Sequence, residues 1–241
     1  MIPKVIHYIW FGHAPKNKLI EKCLQSWRRS MPDYKIIEWN ESNFEVGSST
    51  YSSNAYKNKK WAFVSDYARL KILYEYGGIY LDTDMYVLKS FDDFLEYELV
   101  LGKEDASYIS AGMIACAPKN IYIQKMLEYY DNKTELITIP RALTEVYTHE
   151  EKDCALSSNT NSKNKTKIFD PVYFYPFDAN DIKKFNFKNA PPESYAAHMW
   201  NYSWGHPLVK FTKRLGLHKH IVDILDKLKI KNTLKKLLGT A

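Results

Sequence analysis

An α/β fold with a mixed, mostly parallel central sheet flanked by helices, followed by C-terminal amphipathic helices, is predicted by three features of the 241-residue sequence. A strand-like run, a helix-like run and a second strand-like run follow one another over residues 2–39, the order of a right-handed βαβ unit. A long helix-like run then stops at a glycine pair and passes directly into a short apolar strand. From Leu208 onward apolar and basic residues alternate at helical spacing. The expected organisation is one domain over residues 1–206 and a tail over residues 207–241.

The run from Ile2 to Gly12, IPKVIHYIWFG, is nearly all apolar and ends at a glycine, so a buried strand over residues 2–10 is expected. Open α/β sheets gather ligands beyond the C-terminal ends of their strands, which makes Trp10 a candidate contact. Leu19, Ile20, Cys23, Leu24 and Trp27 have helical spacing within residues 18–29, and Met31-Pro32-Asp33 breaks the pattern. Residues 34–39 read as the second strand. The polar stretch 47–60, GSSTYSSNAYKNKK, reads as a loop feeding the long helix over 61–76. Beyond the glycine pair, the spacing predicts a helical turn at 91–95, a strand at 99–102 and a strand over 108–118. Helices are expected at 120–130 and 140–148, a mobile surface loop over the Lys/Asn/Ser-rich stretch 150–167, and an aromatic strand and turn over 169–177.

The chemistry concentrates in Gly77-Gly78-Ile79-Tyr80-Leu81-Asp82-Thr83-Asp84-Met85-Tyr86-Val87. Two aspartates at i and i+2 of extended backbone point the same way, so the strand end should present two hard oxygen ligands side by side. Such a pair, at the tip of an expected hairpin, suits Mn²⁺ or Mg²⁺, whose shells are commonly completed by substrate phosphates. Asp-x-Asp also occurs in ordinary loops as a turn or helix cap. Here it follows a helix in which Asp66 and Arg69 share a face at i, i+3.

The stretch WAFVSDYARLKILYEYGGIYLDTD contains Ser-Asp-x-x-Arg and then Leu-Tyr-x-x-Gly-Gly-x-Tyr-x-Asp-x-Asp. It resembles the DxD-containing sugar-binding region of the glycosyltransferase family 32 enzymes, and is similar to the catalytic domain of the large clostridial glucosylating toxins. The likeness covers residues 2–118 and 192–205 and is loose between them. It implies a GT-A, Rossmann-like fold and a metal-dependent, retaining transfer from a nucleotide-sugar to a saccharide or lipid-linked saccharide, in surface polysaccharide biosynthesis. It assigns Asp82 and Asp84 to the metal and the donor, Asp66 and Arg69 to sugar hydroxyls, and Trp10 to stacking on the nucleotide base. Ile9, Tyr67, Gly78 and Thr83 are implied as further substrate contacts. In Tyr195-Ala196-Ala197-His198-Met199-Trp200-Asn201-Tyr202-Ser203-Trp204 a histidine leaves a strand, by itself the mark of a structural corner. The resemblance makes His198 a third metal ligand and Ser203 and Trp204 contacts of the diphosphate. Trp10 favours a UDP-sugar over a GDP-sugar, as in the UDP-using relatives.

At 45% hydrophobic residues the chain can bury one substantial core. Aromatics reach 15%, which suits stacking on sugars or bases as well as an aromatic core. Cys23, Cys116 and Cys154 have no metal-like spacing, which favours a reduced, cytoplasmic compartment. No leader and no bilayer-spanning run is expected. Of the net charge of +6, the stretch from Pro207 carries a surplus of seven, eight lysines and Arg214 against Asp223 and Asp226, so the body is near neutral. That tail is expected to lie on an anionic membrane at the inner face of the cytoplasmic membrane. No nucleic-acid partner is expected. Two other functions fit the same residues: a metal-dependent nucleotide-sugar hydrolase, and a non-catalytic sugar-binding adaptor at the membrane.

Overall fold

The expected βαβ unit is present as β1 (Val5–Ile9), α1 (Lys18–Ser30) and β2 (Lys35–Trp39), with β1 and β2 parallel and paired from Val5 opposite Lys35 to Ile9 opposite Trp39. The side chain of Asn17 caps α1 by accepting from the N–H groups of Leu19 and Ile20 at 2.9 and 3.1 Å. The structure is a computed structural model that describes residues 1–133, 135–156, 166–178, 182 and 189–201. Then come α2 (Thr50–Lys57), α3 (Trp61–Tyr76), β3 (Gly78–Leu81), β4 (Met85–Val87), β5 (Leu99–Lys103) and β6 (Ile109–Cys116). The last described elements are α4 (Ile121–Asp131), α5 (Ile139–Leu156), β7 (Thr166–Phe169), α6 (Pro171–Phe174) and β8 (Ala196–His198).

Six strands form one sheet in the order β2-β1-β3-β6-β5-β7. β1 is parallel to β2 and β3, β5 is parallel to β7, and β6 is antiparallel to both of its neighbours. One reversed strand in six is the mixed, mostly parallel sheet that the sequence predicts. Helices cover both faces, so all eight residues of β6 are buried, and successive side chains serve opposite layers. Ile114 and Cys116 pack with Leu70, Leu73, Ile123 and Leu143. Met113 and Ala115 pack with Trp27, Val87 and Phe174. In that second layer α1 pins β4: the Trp27 indole N–H donates to the Met85 carbonyl at 2.7 Å, and Ser26 Oγ accepts from the Val87 N–H at 2.9 Å.

Four expectations need correction. Residues 47–60 are not a loop: they hold α2, capped by Ser49 Oγ accepting from the Ser52 N–H at 3.0 Å. Tyr51 and Ala55, four residues apart, are buried against the helical layer, and two apolar anchors suffice where the composition is polar. The loop expected over 150–167 is helix at its start and strand at its end, since α5 runs on to Leu156 and β7 begins at Thr166, and 157–165 lie outside the described residues. Glu and Lys in that stretch are competent helix formers. Residues 169–177 carry α6, with Pro171 in its first turn, where the missing N–H costs nothing. Finally, β3 and β4 form no hairpin: β3 pairs with β1 and β6, whereas β4 pairs with β8 in a separate two-stranded sheet.

Met1–Met199 forms one compact unit. The expected boundary between residues 206 and 207, and the expected C-terminal helices, lie outside the described residues. No described helix is long and apolar enough to cross a membrane.

The glycine pair sets the entry to the site. Gly77 ends α3 with φ +63°, and Gly78 opens β3 with φ +95°. A Cβ on Gly77 would lie 2.6 Å from the Pro118 nitrogen, and one on Gly78 2.6 Å from the Val5 carbonyl oxygen. Buried His7 sits beneath them: its Nε2–H donates to the Gly77 carbonyl at 3.0 Å, and its Nδ1 accepts from the Trp39 indole N–H at 3.0 Å. That pairing defines a neutral ring, and burial lowers the His7 pKa to about 4. Gly78→Ala is expected to lower stability by more than about 1–2 kcal/mol, the cost of positive φ alone, and urea unfolding measures it. The unfolded chain protonates its histidine below about 6.5, so His7 withdraws stability as pH falls from there towards 4, up to about 3 kcal/mol. Unfolding of His7→Gln across that window should show this upward slope with pH removed; an unchanged slope would contradict the burial argument.

Candidate active site

β3 delivers its C-terminal end to a tight turn rather than to extended backbone. The Asp82 N–H donates to the Gly112 carbonyl at 2.8 Å, holding the turn on β6, and the Met85 N–H donates back to the Asp82 carbonyl at 2.9 Å. The two carboxylates therefore meet because Asp82-Thr83-Asp84 folds back, not through the alternation that the sequence suggests. From the second sheet, β8 places His198 opposite Met85, and the Met199 N–H donates to the Asp84 carbonyl at 2.9 Å. His198 Nε2 lies 3.2 Å from Asp84 Oδ1. One ligand atom from each of Asp82, Asp84 and His198 falls within 4.8 Å of the others. Two carboxylates and an imidazole are a donor set that accepts Mn²⁺ readily and Mg²⁺ less so, because imidazole suits the transition metals. Burial opposes a charge on His198, but Asp84 and Asp82 outweigh it and hold its pKa above the ordinary value.

Behind Asp82 stands a buried guanidinium. Arg69 Nη1 donates to the Ala111 carbonyl at 2.9 Å and lies 3.2 Å from Asp82 Oδ1. Its Nη2 donates to Asp66 Oδ1 at 2.9 Å, and its Nε to the Ser65 carbonyl at 3.2 Å. The cation also lies over the Tyr80 ring, 4.4 Å from its centroid, and the Tyr80 hydroxyl donates to Asp82 Oδ1 at 2.8 Å. Asp66 is closed off on its other side, where Oδ2 accepts from the Ile139 N–H at 3.3 Å. Burial pushes the Asp66 carboxyl up to about 7, with the Arg69 charge working against that shift. Burial also works against the charge on Arg69, but Tyr80, Asp82 and Asp66 hold its pKa above the usual value.

Asp66, Arg69, Asp82, Asp84 and His198 are thus brought together. Trp10 lies half-buried just past β1, its indole N–H donating to the Ala14 carbonyl at 2.6 Å and its ring 5.4 Å from Lys16 Nζ. Ile9 is buried in β1, Gly78 serves the backbone path described above, and Thr83 is the middle residue of the turn. Tyr67 is not brought to the three candidate ligands: it is buried in the helical layer of the core. Ser203 and Trp204 lie outside the described residues. Two contributors escaped the sequence reading. Tyr80 shares a strand face with Asp82 at i, i+2, a signal that was present. Tyr175, whose ring meets that of His198 edge-on at 5.8 Å, lies 93 positions beyond Asp82 and had no local signal.

Removing the guanidinium should expose its role. Arg69→Met leaves a buried Asp66 carboxylate without its counter-charge, so a loss of about 3–5 kcal/mol is expected near pH 8. The loss should shrink towards pH 4, where a neutral carboxyl needs no partner, and Asp66→Asn in the same chain should recover part of it. Urea unfolding of the single and double variants reads both effects; a single variant within about 1 kcal/mol of the parent would contradict the assignment.

The family described as glycosyltransferase sugar-binding region containing DXD motif matches residues 17–101, and the alpha 1,4-glycosyltransferase conserved region matches residues 120–219. An uncharacterized glycosyltransferase, L373, of Acanthamoeba polyphaga mimivirus is 28% identical over 245 residues, covering 93% of this chain and 92% of the relative. Lactosylceramide 4-alpha-galactosyltransferase of Pan troglodytes is 28% identical over 152 residues, covering 57% of this chain but only 41% of that protein. Among solved structures, the PaToxG glycosyltransferase superposes with a TM-score of 0.53 at 22% identity, covering 65% of this chain and 72% of that one, a likeness of fold. Two glycosyltransferase family models, one of them for the DXD sugar-binding region, thus match successive stretches of this chain, which has a GT-A fold.

Proposed function

We propose that the chain transfers a hexosyl group, with retention of configuration, from a UDP-sugar to a hydroxyl of a saccharide or lipid-linked saccharide in surface polysaccharide synthesis. The observation that carries this reading is the convergence of Asp82, Asp84 and His198, from two different sheets, within 4.8 Å. Those three would hold Mn²⁺ or Mg²⁺, which when bound supplies Lewis-acid stabilisation for the charge that grows on a departing nucleoside diphosphate. Asp82 is kept in one orientation by Tyr80 and Arg69, so no side-chain search is needed when the donor arrives. Asp66 and Arg69 line the buried side of the same wall, and there they fix the donor's seat. Trp10, half-buried at the C-terminal edge of β1, offers a ring face for a base, which supports a pyrimidine nucleotide. A lipid-linked acceptor is supported by the galactosyltransferase relative, whose name states lactosylceramide as its acceptor. The basic surplus from Pro207 onward supports residence on an anionic membrane surface at the cytoplasmic side, at about 1 kcal/mol per basic residue near such a surface.

A thermal-shift panel of UDP- and GDP-sugars, with and without Mn²⁺, tests the reading. The true donor with Mn²⁺ at about 100 times its Kd should add about 2.7 kcal/mol, several degrees for a chain of this size. Asp84→Asn should abolish the Mn²⁺-dependent part and cut turnover by about 10²-fold or more. Stabilisation by UDP-sugars that ignores both Mn²⁺ and Asp84 would overturn it. Full-rate nucleotide release without any acceptor would make the protein a hydrolase. A pathway product unaltered by Asp84→Asn would leave a binding adaptor.

A further inference from the structure

A carboxylate outside the three candidate ligands faces the same cleft. Glu104 is the first residue past β5, and its N–H donates to the Tyr108 carbonyl at 2.9 Å, closing the turn into β6. The register shifts between Leu101 and Gly102, after which Gly102 stands opposite Ser110. Gly102, Glu104, Ser110 and Gly112 consequently share one face of this hairpin. Two of the four lack a side chain, and both gaps are occupied by neighbours of the site. A Cβ on Gly102 would meet the rings of Phe174 and Tyr175 at 2.8 and 3.1 Å, and one on Gly112 would lie 3.1 Å from the Tyr175 hydroxyl and 3.2 Å from Asp82 Oδ2. The Tyr175 hydroxyl accepts from the Met113 N–H at 3.0 Å, with buried Ser110 beside it on the same face as Glu104. Tyr175 and Asp82 both border Gly112, and Ser110 lies on the same face between Gly112 and Glu104.

Glu104 is half-buried yet sits outside the 4.8 Å group of Asp82, Asp84 and His198. It is close enough for its charge to raise the pKa of His198. Burial raises its own pKa, as for a carboxyl partly withdrawn from water. A carboxylate kept there at a desolvation cost is explained by a ligand that donates hydrogen bonds to it. Sugar hydroxyls are such donors, and the diphosphate of a donor is not.

We propose that Glu104 is the residue that receives and orients the acceptor: its carboxylate accepts a hydrogen bond from a hydroxyl of the incoming saccharide, with Ser110 fixing the rotamer of Glu104. The inference rests on the transferase reading above. It predicts a defect confined to the acceptor side. Nucleotide release from UDP- and GDP-hexoses with Mn²⁺ is measured for the parent, Glu104→Gln and Ser110→Ala. Octyl β-lactoside and a set of p-nitrophenyl hexosides serve as acceptors, and the thermal shift given by donor with Mn²⁺ is recorded alongside. Glu104→Gln should raise the acceptor KM, or lower kcat/KM for it, by about 10–100-fold, while the donor-induced shift is retained. Ser110→Ala should do the same more weakly, which keeps the inference testable if Glu104→Gln folds poorly. Acceptor constants within twofold of the parent in both variants would overturn it. So would loss of the donor-induced shift in Glu104→Gln, which would put Glu104 at the donor, or nucleotide release by the parent that none of the acceptors accelerates. A parent inert towards every donor would instead overturn the transferase reading itself.

Discussion

The guanidinium of Arg69 is the constraint on which the site depends. It is almost fully withdrawn from water and must be satisfied in place, because an unpaired charge there would cost several kcal/mol. Its donors reach Asp66, Asp82 and the carbonyls of Ser65 and Ala111, and its face lies on Tyr80. One side chain therefore ties α3 to β3 and β6. Replacing such a network by apolar residues could well stabilise a fold, so stability alone does not account for it. Orientation does: Asp82 Oδ1 is claimed by Arg69 and Tyr80, and Oδ2 is carried over the bare face of Gly112.

The remainder of the geometry follows from how the chain leaves α3. The glycine pair lets helix pass into strand without a loop, packed so closely on Val5, His7 and Pro118 that no side chain fits. β3 is paired on both edges and ends at the turn that holds both aspartates. β4 then leaves the main sheet for β8, and the join between the two sheets is where His198 meets Asp84. α1 holds β4 from behind through Trp27 and Ser26, so the turn is anchored on both sides. A cluster built from three separated segments is rigid only because each segment is pinned independently.

Much of this was legible in the residues. Apolar periodicity located α1, α3, α4 and every strand of the main sheet but β7, which overlapped the expected loop, and the glycines located the end of α3, because these signals are local. Asp66, Arg69, Asp82 and Asp84 were legible through their spacing. What failed was long-range or masked by composition. α2 looked like a loop because its apolar anchoring is confined to Tyr51, Ala55 and the partly buried Tyr56, and α6 was hidden among aromatic residues that also favour strands. The shape of the Asp82–Asp84 turn was misread because alternation applies to paired strand, and Asp82 is the first residue beyond it. Tyr175 and Glu104 could not be found in advance, since only the register of β5 on β6 and the packing of α6 bring them to the cleft.

These features bring three candidate cation ligands to the junction of two sheets, with a fixed wall behind Asp82. The central claim is the place of that cation. The most direct measurement is an anomalous difference map from crystals grown with Mn²⁺ and a nucleoside diphosphate. The account predicts one strong peak coordinated by Asp84, with Asp82 and His198 in or next to its shell. A peak held by other residues, or a nucleotide seated with no metal between Asp82, Asp84 and His198, would contradict it.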